Sequence, residues 1–519
     1  MLRFFNINDS MNSLVHRKIL KEILIASILV IIFFFGVLRQ VDLPGFYMDS
    51  VNPDYMAAQY INQEIPNAAW RMPTEFFPIL GNYYHGVQNF YVDLVVFKFL
   101  GISAASVRIA QALFGALIVA CLYLGTVLAT RNRLIAFLAA VLLATDIAFL
   151  ASFRTQFYII LGGEAWLFAS LVALWRGGRL GYLLSGLFFG LAIYGYFVLG
   201  FFGPALMIFL LSRPDRRIPH WVAGLALGML PYVVGYASFI IAAGGVSQAI
   251  ETMRQAIGGL APMSSKLSFW GNLNHVLQMA ILAVTNVGNE LMIFNEGIGG
   301  RWSGIKVWMF VGVFVGAALL VAVRFRHRPA LLLAVLLPPS YIGVASVFGS
   351  RLWVHHLSVL VPIGYLLIAV AFGGIVRGRL AAVAAVAVAA VMVVGNVRQA
   401  SHFHERLAAT GGVGKASNAL SRLAEDALTE PDTLYVFPEW GFFMPFNLLT
   451  ANRVPYVLDP AQIDRANCRC GRVVLAFWAE TDVKKYVEAL TEKGLQNVET
   501  RVYAQRDGRP AFHVAEGRF

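Results

Sequence analysis

The chain is poor in charge. Asp, Glu, Lys and Arg make up 13% of its residues, where a soluble domain carries about 25%. Cysteine is rarer still, with three in 519 residues, which excludes a disulfide-stapled scaffold and a cysteine-rich metal site. No Gly-rich phosphate loop, His-Glu-x-x-His helix or Gly-x-Ser-x-Gly elbow occurs at usable spacing. Nucleotide-fuelled chemistry, zinc-peptidase chemistry and serine-hydrolase chemistry therefore lack their signatures. No internal repeat of the kind that marks many secondary transporters is visible either.

What the chain has in excess is apolar residues, 58% of the total. They lie in runs of about 17–25 residues, the length that crosses a ~30 Å hydrocarbon layer. The expectation is an α-helical polytopic membrane protein. About eleven transmembrane helices are predicted, near 19–41, 104–129, 134–151, 156–175, 181–197, 200–211, 219–243, 304–323, 330–348, 353–373 and 380–396. The run from Lys18 to Val41 is too long for a signal-peptide core and reads as a retained first span.

Basic clusters orient these spans. Arg17-Lys18-Lys21 and the groups at 131–133, 176–179, 213–217, 324–328 and 377–379 all flank apolar runs. Pairing the spans puts every cluster inside, with the N-terminus cytoplasmic and the C-terminus outside. The net charge of +12 is then a property of inner loops and not of a nucleic-acid surface. The weak point is 180–211, broken by Gly195, Gly200, Gly203 and Pro204, which must cross twice.

Two outer loops are long, 42–103 and 244–303. Residues 1–396 are expected to form the membrane module. Residues 397–519 turn polar, with strand-like "TLYVFP", "RVVLAFW" and "TRVYAQ" and a helical "DVKKYVEALTEKGL". They read as a small extracytoplasmic α/β domain. Cys121 falls in a span; Cys468 and Cys470 could pair locally if that domain is outside.

Candidate chemistry gathers at the outer boundary. Asp49 follows the first span and stands before a helix start at Asn52-Pro53. Asp54 falls in that helix's first turn, where the helix dipole favours an acid. A carboxylate there suits a general base. "LLATDIAFLASFRTQFY" offers Asp146, Arg154 and Tyr158 at a second outer hinge. "VFGSRLWVHHLSVLVPIGYLL" offers Arg351, His355 and His356, with Arg351 and His355 on one helical face. Guanidinium groups match phosphate. The 244–303 loop adds Arg254, Lys266, His275, Glu290, Glu296 and Arg301, among which spacing selects none. No metal site is assigned.

The order and spacing of these features resemble the GT-C superfamily of polyprenyl-phosphate-dependent glycosyltransferases. Its nearest branches would be the bacterial protein O-mannosyltransferase-like and aminoarabinose-transferase-like enzymes. The resemblance covers roughly residues 20–375. Its carriers are Asp49, the aromatic loop leading to Gly101, Ser103 and Arg108, the Asp146–Arg154 hinge, the short helices of 185–211, and "SRLWVHHLSVLVPIGYLL". Departures are Asp49-Ser50 where relatives often have Asp-Glu, and "TEFFPIL" where a His-Pro-Pro motif is typical.

The resemblance implies a one-step inverting transfer of a sugar from undecaprenyl phosphate to a hydroxyl or amine of a glycan, lipid or protein acceptor. It implies Asp49 as base, Asp54 as alternate or acceptor-positioning acid, and Arg154, Arg351 and His355 or His356 at the donor phosphate. Asp146, Arg108 and Tyr158 are further candidates. A divalent metal is used by some relatives and not others, so metal dependence stays open. The location implied is the inner membrane of a bacterium. The competing expectations are a lipid-linked glycan ligase or polymerase and a flippase of a lipid-linked sugar.

Overall fold

The computed structural model describes residues 5–62, 78–212, 215–260, 268–324, 328–464 and 470–519. Lys266, Cys468 and parts of the basic clusters at 213–217 and 324–328 lie outside these residues.

The first helix, α1 (Phe5–Val37), leads into an irregular stretch and a 3-10 turn, Met48–Ser50. Next come α2 (Asp54–Ile61), a two-stranded ribbon of β1 (Leu80–Asn82) and β2 (His85–Gly86), and α3 (Gln88–Leu100). The bundle continues with α4 (Ala104–Thr130), α5 (Arg133–Thr145), the short α6 (Ile147–Leu150), α7 (Phe157–Arg176), α8 (Gly178–Gly195), α9 (Gly203–Leu211) and α10 (Ile218–Ala242). It closes with α11 (Val246–Leu260), α12 (Phe269–Val284), α13 (Val287–Phe294), α14 (Arg301–Arg324), α15 (Pro329–Phe348), α16 (Leu360–Ile375) and α17 (Arg379–Thr410).

Among the described residues, eight helical segments are long and apolar enough to cross a membrane, and up to ten if each sharply bent pair is one span. The sequence suggested about eleven. The difference has two sources. The expected crossings at 181–197 and 200–211 are helices, α8 and the stretch Phe197–Leu211, but both fall short of a full apolar span. Conversely, α12 and α13, bent by 76°, lie where only an outer loop was expected. The hinge at Asp146 is a 59° bend between α5 and the helical stretch Ile147–Arg154.

Small residues let helices meet at the backbone. A Cβ built on Gly186 of α8 would stand 1.9 Å from the Trp221 carbonyl oxygen of α10. Gly190, Gly224 and Gly228 continue the seam, the close approach that stabilises helix pairs in lipid, where burial of apolar surface offers little drive.

The polar C-terminal region forms a five-stranded mixed sheet. Helix α18 (Ala419–Thr429) precedes β3 (Thr433–Val436), followed by α19 (Phe443–Leu449), β4 (Tyr456–Val457), β5 (Arg472–Phe477), α20 (Val483–Glu492), β6 (Gln496–Ala504) and β7 (Pro510–Arg518). The order is β4-β3-β5-β7-β6, with β3 parallel to both neighbours and β7 antiparallel to both of its own. The expected strands and helix are all present. No linker separates this sheet from the bundle at residue 396, because α17 runs unbroken to Thr410.

Candidate active site

Asp49 sits in the 3-10 turn Met48–Ser50. The turn is closed by Ser50, whose hydroxyl donates to the Tyr47 carbonyl at 2.7 Å and accepts from the Tyr47 amide at 3.0 Å. The Asp49 side chain is half-buried. Burial raises its carboxyl to about 6, against a lowering pull from the charge of Lys415. Tyr47, Tyr84 and Tyr196 all lie within electrostatic reach of it. An acid held near neutrality and still partly open to solvent is the condition a general base requires.

Two histidines lie on the same wall. Tyr47 donates its hydroxyl to Gln156 Oε1 at 2.8 Å, and Gln156 Nε2 lies 2.9 Å from His355 Nδ1. The amide nitrogen therefore donates to Nδ1, and a neutral His355 carries its proton on Nε2. His356 Nδ1 lies 3.0 Å from the Trp353 amide and 3.2 Å from its carbonyl, and its Nε2 lies 3.2 Å from the Tyr196 hydroxyl. The two imidazole rings lie 4.0 Å apart. Residues 349–357 form two 3-10 turns, Gly349–Arg351 and Val354–Leu357, and not one helix. This corrects the expectation that Arg351 and His355 share a helical face. Arg351 is exposed on the first turn, which packs against α12.

Tyr84 and His85 complete the aromatic wall, with His85 stacked on Tyr196 at 5.8 Å. Burial pushes the His85 imidazole down to about 4, so it is neutral. Tyr84, His85, Gln156, Tyr196 and Lys415 were not singled out from the sequence. The aromatic pair before α3 was a signal. Lys415 carried none, because it lies far from Asp49 along the chain.

The remaining candidates are held by the fold. Arg154 donates from Nη1 to the Gln40 carbonyl and from Nη2 to the Val37 carbonyl, each at 2.9 Å, and also to the carbonyls of Leu43 and Arg39. It satisfies the last carbonyl of α1, Val37, and three carbonyls of the turn that follows the helix. Its four donor bonds leave neither terminal nitrogen for a phosphate, which revises the expected role. Arg108 donates to the carbonyls of Phe153 at 3.2 Å and Pro44 at 3.0 Å and lies over the Phe46 ring. The Gly101–Ser103–Arg108 pattern is thus architectural. Gly101 takes a φ of +76° to end α3, and Ser103 caps α4 by accepting from the Ser106 amide. Asp146 caps α6 and pairs with Lys306, and Tyr365 donates to it at 2.7 Å.

Asp54 begins α2, but Pro53, not Asn52, is the cap residue. Its side chain is fully buried. Tyr158 donates its hydroxyl to it, Gln111 donates at 3.3 Å, and the buried carboxyl of Asp93 of α3 lies within electrostatic reach of it. Burial raises both carboxyls above the ordinary range. Asp93 rises further, because the charge of Asp54 adds to its desolvation. Both side chains are fully buried, so neither offers an open face to an incoming acceptor. Asp93 was legible as a lone acid in the apolar "QNFYVDLVVFKFL".

No group of three or more His, Cys, Asp or Glu side chains that could hold a metal occurs among the described residues. A cavity of about 430 Å³ lies at the far end of α4, lined by Leu128, Trp175, Arg217 and Pro329 among others. It shares no residue with the Asp49 site.

This bundle, with its bent helices and appended sheet domain, has an ArnT-like fold. The family model for dolichyl-phosphate-mannose-protein mannosyltransferase matches residues 86–243. Two solved structures are similar along almost the whole chain. ArnT from Cupriavidus metallidurans bound to undecaprenyl phosphate is 13% identical, with a TM-score of 0.58 over 95% of this chain and 97% of that one. The apo state of the same protein is 14% identical, with a TM-score of 0.55 over the same shares. No curated protein matches in sequence.

Proposed function

We propose that the protein is an inverting glycosyltransferase that moves a sugar from a polyprenyl phosphate, undecaprenyl phosphate in bacteria, to an acceptor hydroxyl or amine. The observation that carries this is Asp49: a half-buried acid raised to about 6, walled by tyrosines and neutral imidazoles, in a GT-C fold. The acceptor's oxygen or nitrogen attacks the anomeric carbon, and its proton passes to Asp49. The bond from that carbon to the phosphate oxygen breaks, and the phosphate leaves with the electron pair. Base catalysis of this kind supplies roughly 10²–10⁴ in rate. His355 Nε2–H and the exposed Arg351 are the phosphate donors on this wall. Asp54, with Asp93, Gln111 and Tyr158, fixes α2 behind the turn of Asp49.

The site faces the outer side of a bacterial inner membrane in this reading, with residues 1–396 as the catalytic module and 397–519 as an extracytoplasmic domain. The basic clusters beside the inner ends of the helices support that orientation. The test is transfer from a panel of defined polyprenyl-phospho-sugars by wild type and Asp49→Asn. Turnover by wild type that the variant does not share supports the reading. Equal turnover removes Asp49 from it. Movement of lipid-linked sugar across a vesicle without covalent product would identify a flippase instead.

A further inference from the structure

We propose that Lys415, supplied by the C-terminal region, is a cation that receives the donor's phosphate, in addition to Arg351 and His355. This rests on the transferase reading above.

The outer end of the bundle holds several cations, and most are engaged. Arg154 donates to four backbone carbonyls at the end of α1. Arg108 donates to two more. Lys306 is fully buried against Asp146. Lys415 differs. It is exposed, and among the described residues no carboxylate lies within ion-pair distance of it. Its ammonium rests 5.6 Å from the centre of the Trp478 ring, a modest cation–π contact that an anion can outcompete.

The position of Lys415 is built into the fold. It occupies the 3-10 turn Gly414–Ala416 after α17. The Val413 amide just before that turn donates to the Ile293 carbonyl of α13 at 2.8 Å. Just after it, the Ser417 carbonyl oxygen would lie 2.1 Å from a Cβ on Gly45, so the two backbones touch at a glycine. Gly412 likewise meets Pro44, and Met444 of α19 packs in one cluster with Met48, next to Asp49. The loop carrying the base and the turn carrying the lysine are thus one packed unit, and the charge of Lys415 falls on Asp49.

A cation at this place has a chemical task. A sugar–phosphate–polyprenyl donor is a phosphodiester with one negative charge. When the bond to the anomeric carbon breaks, the phosphate oxygen keeps the electron pair and the leaving group is a dianionic monoester. An ammonium beside it offsets the charge that appears. The lysine neither gains nor loses a proton in the step. It also offsets repulsion between the phosphate and the Asp49 carboxylate. The C-terminal region then completes the site.

The test is binding of undecaprenyl phosphate to the full chain in lipid nanodiscs, with undecaprenol as the phosphate-free control. Wild type, Lys415→Met and Lys415→Arg are compared, with thermal unfolding of each. We expect Lys415→Met to bind undecaprenyl phosphate about tenfold or more weakly, Lys415→Arg to stay within about threefold, and undecaprenol to be unaffected. Undecaprenyl phosphate bound equally by wild type and Lys415→Met overturns the assignment, while the transferase reading stands. Equal losses in the Met and Arg variants overturn it too. A wild type that does not bind undecaprenyl phosphate sinks the transferase reading and this assignment with it.

Discussion

Lys306 Nζ lies 2.8 Å from Asp146 Oδ1, and neither side chain reaches solvent. The pair joins α14 to the bend between α5 and α6, and Tyr365 of α16 donates to the same carboxylate. Three helices therefore meet on one acid. A buried pair adds little over an apolar one, but breaking it strands a charge. Lys306→Met is expected to destabilise the protein by about 3–5 kcal/mol. Adding Asp146→Asn to that variant should recover part of the loss. Thermal unfolding in detergent across the four-member cycle measures both, and additive losses would deny the coupling.

Asp49 sets an acid limb on activity. Its folded-state carboxyl is raised to about 6, and only the carboxylate can accept a proton. The rate at limiting substrate is expected to rise tenfold per pH unit up to about 6 and then to level off. Asp49→Asn should lower turnover by roughly 10²–10⁴ while keeping the fold, since the amide removes a charge that burial disfavours. A flat pH profile between 4.5 and 7.5 would count against the assignment.

Arg154 closes the end of α1 with a planar fork. Lysine has one nitrogen and cannot serve four carbonyls. Arg154→Lys should leave buried carbonyls unpaired, at about 1–3 kcal/mol for each group left unsatisfied. The Asp49 loop follows directly, so transfer should fall together with melting temperature. A variant with wild-type stability and lost phosphate binding would point to the ligand role first expected of this residue.

Asp93 makes a pH prediction of opposite sign to ordinary acid denaturation. Its carboxyl is raised in the folded chain by burial and by Asp54, so the folded state binds the proton more tightly than the unfolded state. That contribution is complete below the unfolded value, near 4. It is lost as pH rises through the folded value. Asp93→Asn removes the titration and should flatten the decline of stability toward alkaline pH. Melting temperature against pH for both proteins reads this directly.

Much of the architecture was legible residue by residue. The runs that became α1, α4, α7, α10 and α14 to α17 announce themselves, because a lipid-crossing helix must be apolar along its own length. The strands at 433–436 and 472–477 did so too. The chemistry was half legible. Asp49 stood out in the sequence because it stands alone beyond a span. Arg154, Arg108 and Asp146 were found as charges at the right boundary, but whether each is free or engaged depends on carbonyls and amines far away in sequence.

Hydropathy is a local property, so the order of residues was enough to establish a polytopic helical bundle and a polar sheet domain after it. Partnership is not local. That Arg154 ties down the turn after α1, that Asp54 and Asp93 are buried within reach of each other, and that the turn of Lys415 packs on the loop leading to Asp49 emerge only when distant segments pack. A side chain's protonation and its availability to a ligand are set by what surrounds it in space, and one dimension does not contain that information.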